Sequence, residues 1–222
     1  MKFTEIEISS IKNKFPLIFN VLNIYYESNN GIDLINDKIE KNILNLENFN
    51  KIWKNDCFDK IEDLLKLKVI NATHGLVPNV GGKIILKNTI EESFELHFFY
   101  SLLDNFYSIQ IVKIGKINVY HPYLNIFKKG IGIKEIIVSP HENEFIDIFN
   151  KVDLFLKNKF KDSYFVPFYF DLLRIKDFKV FYKDEINFST ISDCFFHKGF
   201  VFDFECKIIG DFNYKKNLLL SS

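Results

Sequence analysis

The hydrophobic period of this chain changes along its length, so it must build two kinds of element. From Phe200 the sequence alternates strictly. Phe200, Phe202, Phe204, Cys206 and Ile208 fall on one side of the pattern, and Val201, Asp203, Glu205, Lys207 and Ile209 on the other. A period of two is the signature of a strand. Between Phe145 and Leu156 the period is helical instead. Phe145, Ile148, Phe149, Val152, Phe155 and Leu156 make one apolar stripe, with Glu144, Asp147, Lys151 and Lys157 outside it. Ahead of that stripe, Ser139-Pro140-His141-Glu142 reads as a capping box: an N-cap serine, a first-turn proline and a glutamate three residues on.

The N-terminal third is predicted helical. Pro16 fits a first-turn position ahead of Val21, Leu22 and Tyr25, and Asn29-Asn30-Gly31 ends that helix. Ile32, Ile35, Ile39 and Ile43 predict a second helix, and Phe58, Ile61, Leu64 and Leu65 another, leading into Lys68-Val69-Ile70. From Ser163 the pattern turns to strands. One is predicted over 179–188 and one ending at Phe195-Phe196-His197, with Lys198-Gly199 as the turn into the alternating strand. Residues 94–114 fit two readings. Asp104-Asn105 suits a hairpin turn between strands, while Leu96, Phe99, Leu103, Phe106 and Tyr107 also follow the spacing of a helix buried nearly all round. The class is α+β, helices first and an antiparallel sheet last.

A chain of 222 residues allows one large domain or two small ones. It should bury roughly 70% of its unfolded surface, so it needs no disulfides or metal to fold. We divide it into a mainly helical part, 1–115, and a helix-plus-sheet part, 116–222. Lys and Arg number 29 against 29 Asp and Glu. Zero net charge argues against binding that depends on neutralising nucleic-acid phosphates. Of the basic residues only Arg174 is an arginine, and Ala72 is the only alanine. Together with 26 Phe and 10 Tyr, that bias matches an AT-rich, bacterial genome. It also removes the side chain best suited to bidentate anion clamps. Acidic residues at Glu5 and Glu7 interrupt any signal-peptide core, and no charge-free run reaches the ~18 residues of a spanning helix. Cys57, Cys194 and Cys206 are odd in number and irregularly spaced, as expected of free thiols in a reducing cytoplasm.

Chemistry-bearing clusters are weak. Cys194, His197 and Cys206 offer three soft ligands, but a strand would point Cys194 and His197 to opposite faces, and a fourth ligand is missing. The same geometry defeats a Cys194–His197 nucleophile–base pair. His141-Glu142 lacks the second histidine of a zincin motif. The pairs Gly130/Gly132 and Gly81/Gly82 complete neither a dinucleotide fingerprint nor a Walker loop. The reading is therefore not an enzyme, with no metal and no cofactor. Two aromatic stretches interrupted by proline stand out as candidate partner-binding surface, because Tyr and Phe are enriched at interface centres. They supply Tyr120, Tyr123, Leu124, Ile126 and Phe127 around Pro122, and Phe165, Phe168 and Tyr169 around Pro167.

Residues 67–113 carry a resemblance. Leu67-Lys-Val-Ile70 is followed by Gly75-Leu76-Val-Pro78-Asn-Val-Gly81-Gly82, then by Phe99-x-x-Leu102-Leu103-x-x-Phe106-Tyr107. This is similar to the type VI secretion baseplate component TssG (ImpH-like) family, in which an apolar run, a glycine-rich loop and a Phe/Leu/Tyr helix follow one another. Here no Leu-Pro follows Gly81-Gly82, and the arginine of the family helix is missing. The resemblance implies a motif loop containing Gly75, Leu76, Gly81 and Gly82, and a central buried helix over 94–114. It further implies a structural subunit of a bacterial multi-subunit complex, the baseplate wedge. Such a subunit binds TssF-like, TssK-like and TssE-like proteins, with no nucleic acid and no membrane insertion. The alternative expectation is an immunity protein or another soluble protein-binding module that blocks a toxin.

Overall fold

The computed structural model describes residues 3–121, 126–140, 144–182, 189–200 and 202–220. A short strand β1 (Thr4–Ile6) leads into helices α1 (Ile8–Lys14), α2 (Pro16–Tyr25) and α3 (Gly31–Ile39). Pro16 begins α2, where its missing N–H costs nothing. A π-helical turn, Glu40–Leu44, extends α3, and Ile35, Ile39 and Ile43 form its buried stripe. After α4 (Leu46–Asn48), capped by the Asn45 side chain, a second π-helical stretch, Phe49–Phe58, runs into α5 (Asp59–Leu65).

Strands β2 (Val69–Asn71), β3 (Asn79–Asn88), β4 (Glu92–Ser101), β5 (Phe106–His121) and β6 (Ile126–Ile137) then form an antiparallel meander. Helix α6 (Ile146–Lys159) and strand β7 (Tyr164–Phe165) follow. Strands β8 (Leu173–Ile175) and β9 (Ser189–Thr190) join β1 in a small sheet, and β10 (Phe202–Ile209) closes the large one. The large sheet runs β10-β6-β5-β4-β3-β2 among the described residues, with β7 beside the start of β5.

The α+β class, helices first and sheet after, follows the reading of the sequence. Two finer expectations are corrected. Residues 94–114 are the β4–β5 hairpin, with its turn at Leu102–Asn105, and no central helix. Tyr100 Oη donates to Asn105 Oδ1 at 2.9 Å, and the Leu102 N–H donates to Pro78 O at 2.8 Å, which pins that turn. The sheet is also mixed: β10 runs parallel to β6, and β7 parallel to β5.

Other elements differ in detail. The 115/116 division falls inside β5, and the larger core cluster draws residues from both sides of it. Ser192–Cys194 is a 3-10 turn where a strand to His197 was expected, and 179–182 are not extended in a ladder; 183–188 lie outside the described residues. Helix α6 starts at Ile146, after the expected box. Ser139 Oγ instead accepts the Asp211 N–H at 2.8 Å, while His141 and Glu142 lie outside the described residues.

The two faces of the sheet are covered differently. Leu96 and Phe98 on β4, with Ile109 and Ile111 opposite on β5, face the helices. Phe58 packs edge-on against Phe98 at 5.8 Å, and Trp53 lies 5.5 Å from Tyr100. From α6, Asp153 accepts a hydrogen bond from Tyr107 Oη at 2.8 Å and also pairs with Lys215. Burial and the Asp153 charge push the Tyr107 hydroxyl well above its ordinary value. Glu95, His97 and Phe99 point to the opposite face, where the C-terminal segment packs through Phe196 and Phe200.

Candidate functional site

Two places on the molecule depart from this packing. The first is the outer end of β5 and β6. Strand β4 pairs with β5 only as far as Gly115, and β10 pairs with β6 only from Ile133. Residues 116–121 and 126–131 are therefore bonded to each other alone among the described residues, as a two-stranded ribbon about 20 Å long. Its root is clamped. Glu92 on β4 meets Lys113 of β5 at 2.9 Å and Lys134 of β6 at 2.7 Å, and hydrogen bonds from both ammonium groups hold its carboxyl below the usual range.

The ribbon has its own composition. Ile126, Phe127 and Ile131 are exposed, Phe127 by 57% and Ile131 by 76%. Lys116, Lys128 and Lys129 are exposed too, and make no ion pair among the described residues. The sequence from 116 to 131 contains no Asp or Glu. An isolated two-stranded ribbon is marginal in water, so this element presents an apolar, basic surface and two open hydrogen-bonding edges.

The expected partner-binding residues separate into groups. Ile126 and Phe127 are on the ribbon, and Tyr120 stands opposite Phe127 in its ladder. Tyr123 and Leu124 lie outside the described residues. Phe165 and Phe168 are corrected: at 1% and 2% exposure they belong to the interior, where no partner reaches them. Phe165 packs against Tyr107 and Tyr214, and Phe168 against the cluster of Val112, Ile133 and Ile136. Tyr169 is half-buried, with the Lys216 ammonium 3.5 Å from its ring centroid.

The expected motif loop is also corrected. Gly75 and Leu76 do sit in a turn, and Leu76 borders a groove of about 1030 Å³ shared with Leu44 and Phe181. Gly81 and Gly82, however, are inside β3, opposite Phe99 and Phe98. A Cβ at Gly82 would fall inside the Phe98 ring, so the glycine is there to let the aromatic ring lie flat across the neighbouring strand.

The second place is a cleft of about 460 Å³ at the root of the ribbon, on the face away from the helices. Three of the chain's five histidines gather there: His74 and His97 line it, and the His197 ring stands edge-on to His74 at 5.2 Å. Glu95 Oε2 accepts from His97 Nε2 at 2.9 Å and from Lys83 Nζ at 3.3 Å. The hydrogen bond from His97 lowers the Glu95 pKa against the opposing effect of burial. Lys198 Nζ, also at the cleft, donates to both oxygens of Asp171, at 2.8 and 2.9 Å. Burial pushes the Asp171 carboxyl up and the Lys198 charge opposes it.

None of Lys83, Glu95, His97, His74 or Asp171 was singled out from sequence. The available signal was Glu95-x-His97, two polar residues at strand spacing inside an apolar run, and it has meaning only once that run is read as a strand.

Cys194, His197 and Cys206 do not converge as a ligand set: Cys194 Sγ is directed to Thr190 O at 3.6 Å and Cys206 Sγ to Lys207 O at 3.8 Å. Among the described residues no three His, Cys, Asp or Glu side chains are gathered to hold a metal ion, and no helix is long and apolar enough to cross a membrane. No family model, no curated protein and no solved structure matches this chain.

Proposed function

We propose that this chain is a protein-binding module that docks one partner through the β5–β6 ribbon. The observation that carries the reading is the ribbon itself: open edges, exposed Ile126, Phe127 and Ile131, and three lysines with no carboxylate among them. Such a surface fits a partner with an apolar centre and an acidic rim, and its free edges suit strand addition.

A blocker of a single protein, as a toxin-immunity protein would be, is the nearer form of this reading. Among the described residues, most Phe and Tyr side chains that a large assembly interface would use are packed in the chain's own core, Phe15, Phe99, Phe106, Phe149, Phe165 and Phe170 among them. A wedge subunit of a type VI secretion baseplate needs broader apolar contacts than one ribbon. What remains in support of that second form is the exposed Leu44–Leu76–Phe181 groove.

The test uses the purified full chain. Light scattering is expected to find a monomer, and reconstitution with a toxin encoded beside it to give a one-to-one complex. Phe127→Ala should weaken that complex about thirtyfold, the effect of losing a 2 kcal/mol anchor. A stable assembly with TssF-like, TssK-like and TssE-like proteins instead would select the baseplate form. Retention of nucleic acid in place of protein would overturn both.

A further inference from the structure

The cleft at the ribbon root shares Ile131 with the docking surface, and its polar chemistry is separate from that surface. Both Glu95 oxygens are taken, Oε2 by His97 and Lys83 and Oε1 by Lys83 at 3.5 Å. Asp171 is taken by Lys198. Unspent donors remain beside them. An ammonium has three N–H bonds, and that of Lys83 has Glu95 as its sole partner among the described residues. His97 spends its Nε2–H on Glu95, which leaves a lone pair at Nδ1 of the neutral ring, while His74, with one N–H and one lone pair in the neutral ring, makes no hydrogen bond at either nitrogen among the described residues. Gly199, at φ +63°, brings its backbone beside the Nε2 atoms of His74 and His197: a Cβ there would lie 3.7 and 3.9 Å from them. The imidazole tips thus converge on one side of the opening, with Lys83 and His97 on the sheet. Beneath them the lining is apolar and partly aromatic, from Phe99, Phe200, Ile114 and Ile133.

A cavity of this size, mostly apolar, with a few convergent polar groups, is the general form of a small-molecule site. We propose that this cleft binds a small organic anion, whose flat apolar body lies against Phe99 and Phe200 and whose negative group is held by His74 and Lys83, with the His97 ring beside it. An acceptor from the ligand supplies what the site lacks. The donors are ammonium and imidazole groups, compact and single-pointed, so the site reads one charged group and imposes no planar two-point match.

The experiment titrates the full chain with phenyl phosphate, benzoate, inorganic phosphate and benzyl alcohol, read by calorimetry and by the imidazole signals in ¹H–¹⁵N spectra. Phenyl phosphate or benzoate should bind saturably, moving the His74 and His97 signals. Inorganic phosphate should bind at least tenfold more weakly, for want of the apolar body, and benzyl alcohol should move neither ring. His74→Gln, at an exposed position, and Lys83→Gln should each weaken aromatic-anion binding by tenfold or more while leaving thermal unfolding cooperative. Phe127→Ala on the ribbon should leave this binding unchanged, so a failure of the docking reading cannot pass for a failure here. Equal binding of benzyl alcohol, no movement of the imidazole signals at saturating anion, or full affinity in His74→Gln would each overturn the proposal.

Discussion

The two halves of strand β5 are one continuous segment in two opposite environments. From Tyr107 to Gly115 it pairs with β4, while its other edge meets β7 at Phe106–Tyr107 and β6 from Ile111, with Phe106, Tyr107, Ile109, Ile111 and Val112 buried. From Lys116 onward it has β6 alone, and the ladder ends in exposed Ile126 and Phe127. Pairing with β6 continues from one half into the other; what is lost is the β4 neighbour. Apolar side chains stabilise the fold in the first half and at Ile117 just beyond it, while Ile126 and Phe127 of the paired strand are left as contact surface. The boundary is marked by Glu92, whose ion pairs with Lys113 and Lys134 tie three strands together where the covering stops.

The largest effect that would sharpen this contrast is in the covered half. Phe98→Ala empties a buried ring site between β4 and the helices and should cost about 3–5 kcal/mol, read as a shift in denaturant midpoint. A cost below about 1 kcal/mol would mean the helical layer does not rest on the sheet as described. Gly82→Ala approaches the same ring from the neighbouring strand and should cost about 1–3 kcal/mol by overpacking. Asp153→Ala, which strands the Tyr107 hydroxyl in the interior, should cost about 1–3 kcal/mol.

Acid unfolding supplies a smaller effect. The Glu95 pKa is lowered in the folded chain. Its contribution is therefore full above the unfolded value of about 4.3, and is lost as pH falls through the lower folded value. Glu95→Gln should flatten the acid limb of the stability curve in that window and leave its slope at neutral pH unchanged. Smallest of all, Phe127→Ala on the ribbon should move stability by no more than about 0.5 kcal/mol. A loss comparable to that of Phe98→Ala would erase the distinction between the two halves of β5. Thiol labelling runs in the same direction: Cys206, half-exposed, should react first, while burial raises the Cys57 pKa to about 12 and should protect it until the chain unfolds.

The helices were legible because one face of each meets solvent: the stripe of α6, Pro16 at the start of α2 and the Ile35–Ile39–Ile43 row all survive into the structure. The alternating strand at 202–209 was legible for the same reason. The β4–β5 hairpin was not, because a strand covered on both faces is apolar on both faces, and its period of two disappears. Leu96, Phe99, Leu103 and Phe106 then satisfy a helical template by accident of density. Losing that hairpin also hid the cleft, since Lys83 and His97 stand side by side only through the pairing of β3 with β4. The ribbon was half legible. Its aromatic stretch showed in the sequence, but the similar stretch around Pro167 did not differ from it until burial separated Phe127 from Phe165 and Phe168.

The earliest strand has its partner far downstream: Thr4–Ile6 pairs with Leu173–Ile175, and β6 waits for Phe202–Ile209 before its outer edge is covered. On the ribosome, Thr4–Ile6 must wait for about 170 further residues before its ladder can form. At synthesis rates of about 5–20 residues per second, that interval is on the order of ten to thirty seconds. The wait of β6 is shorter, roughly 70 residues or about 4–14 seconds, and through it the nascent chain holds a bare strand edge, so its yield depends on what shields that edge until Phe202–Ile209 arrive.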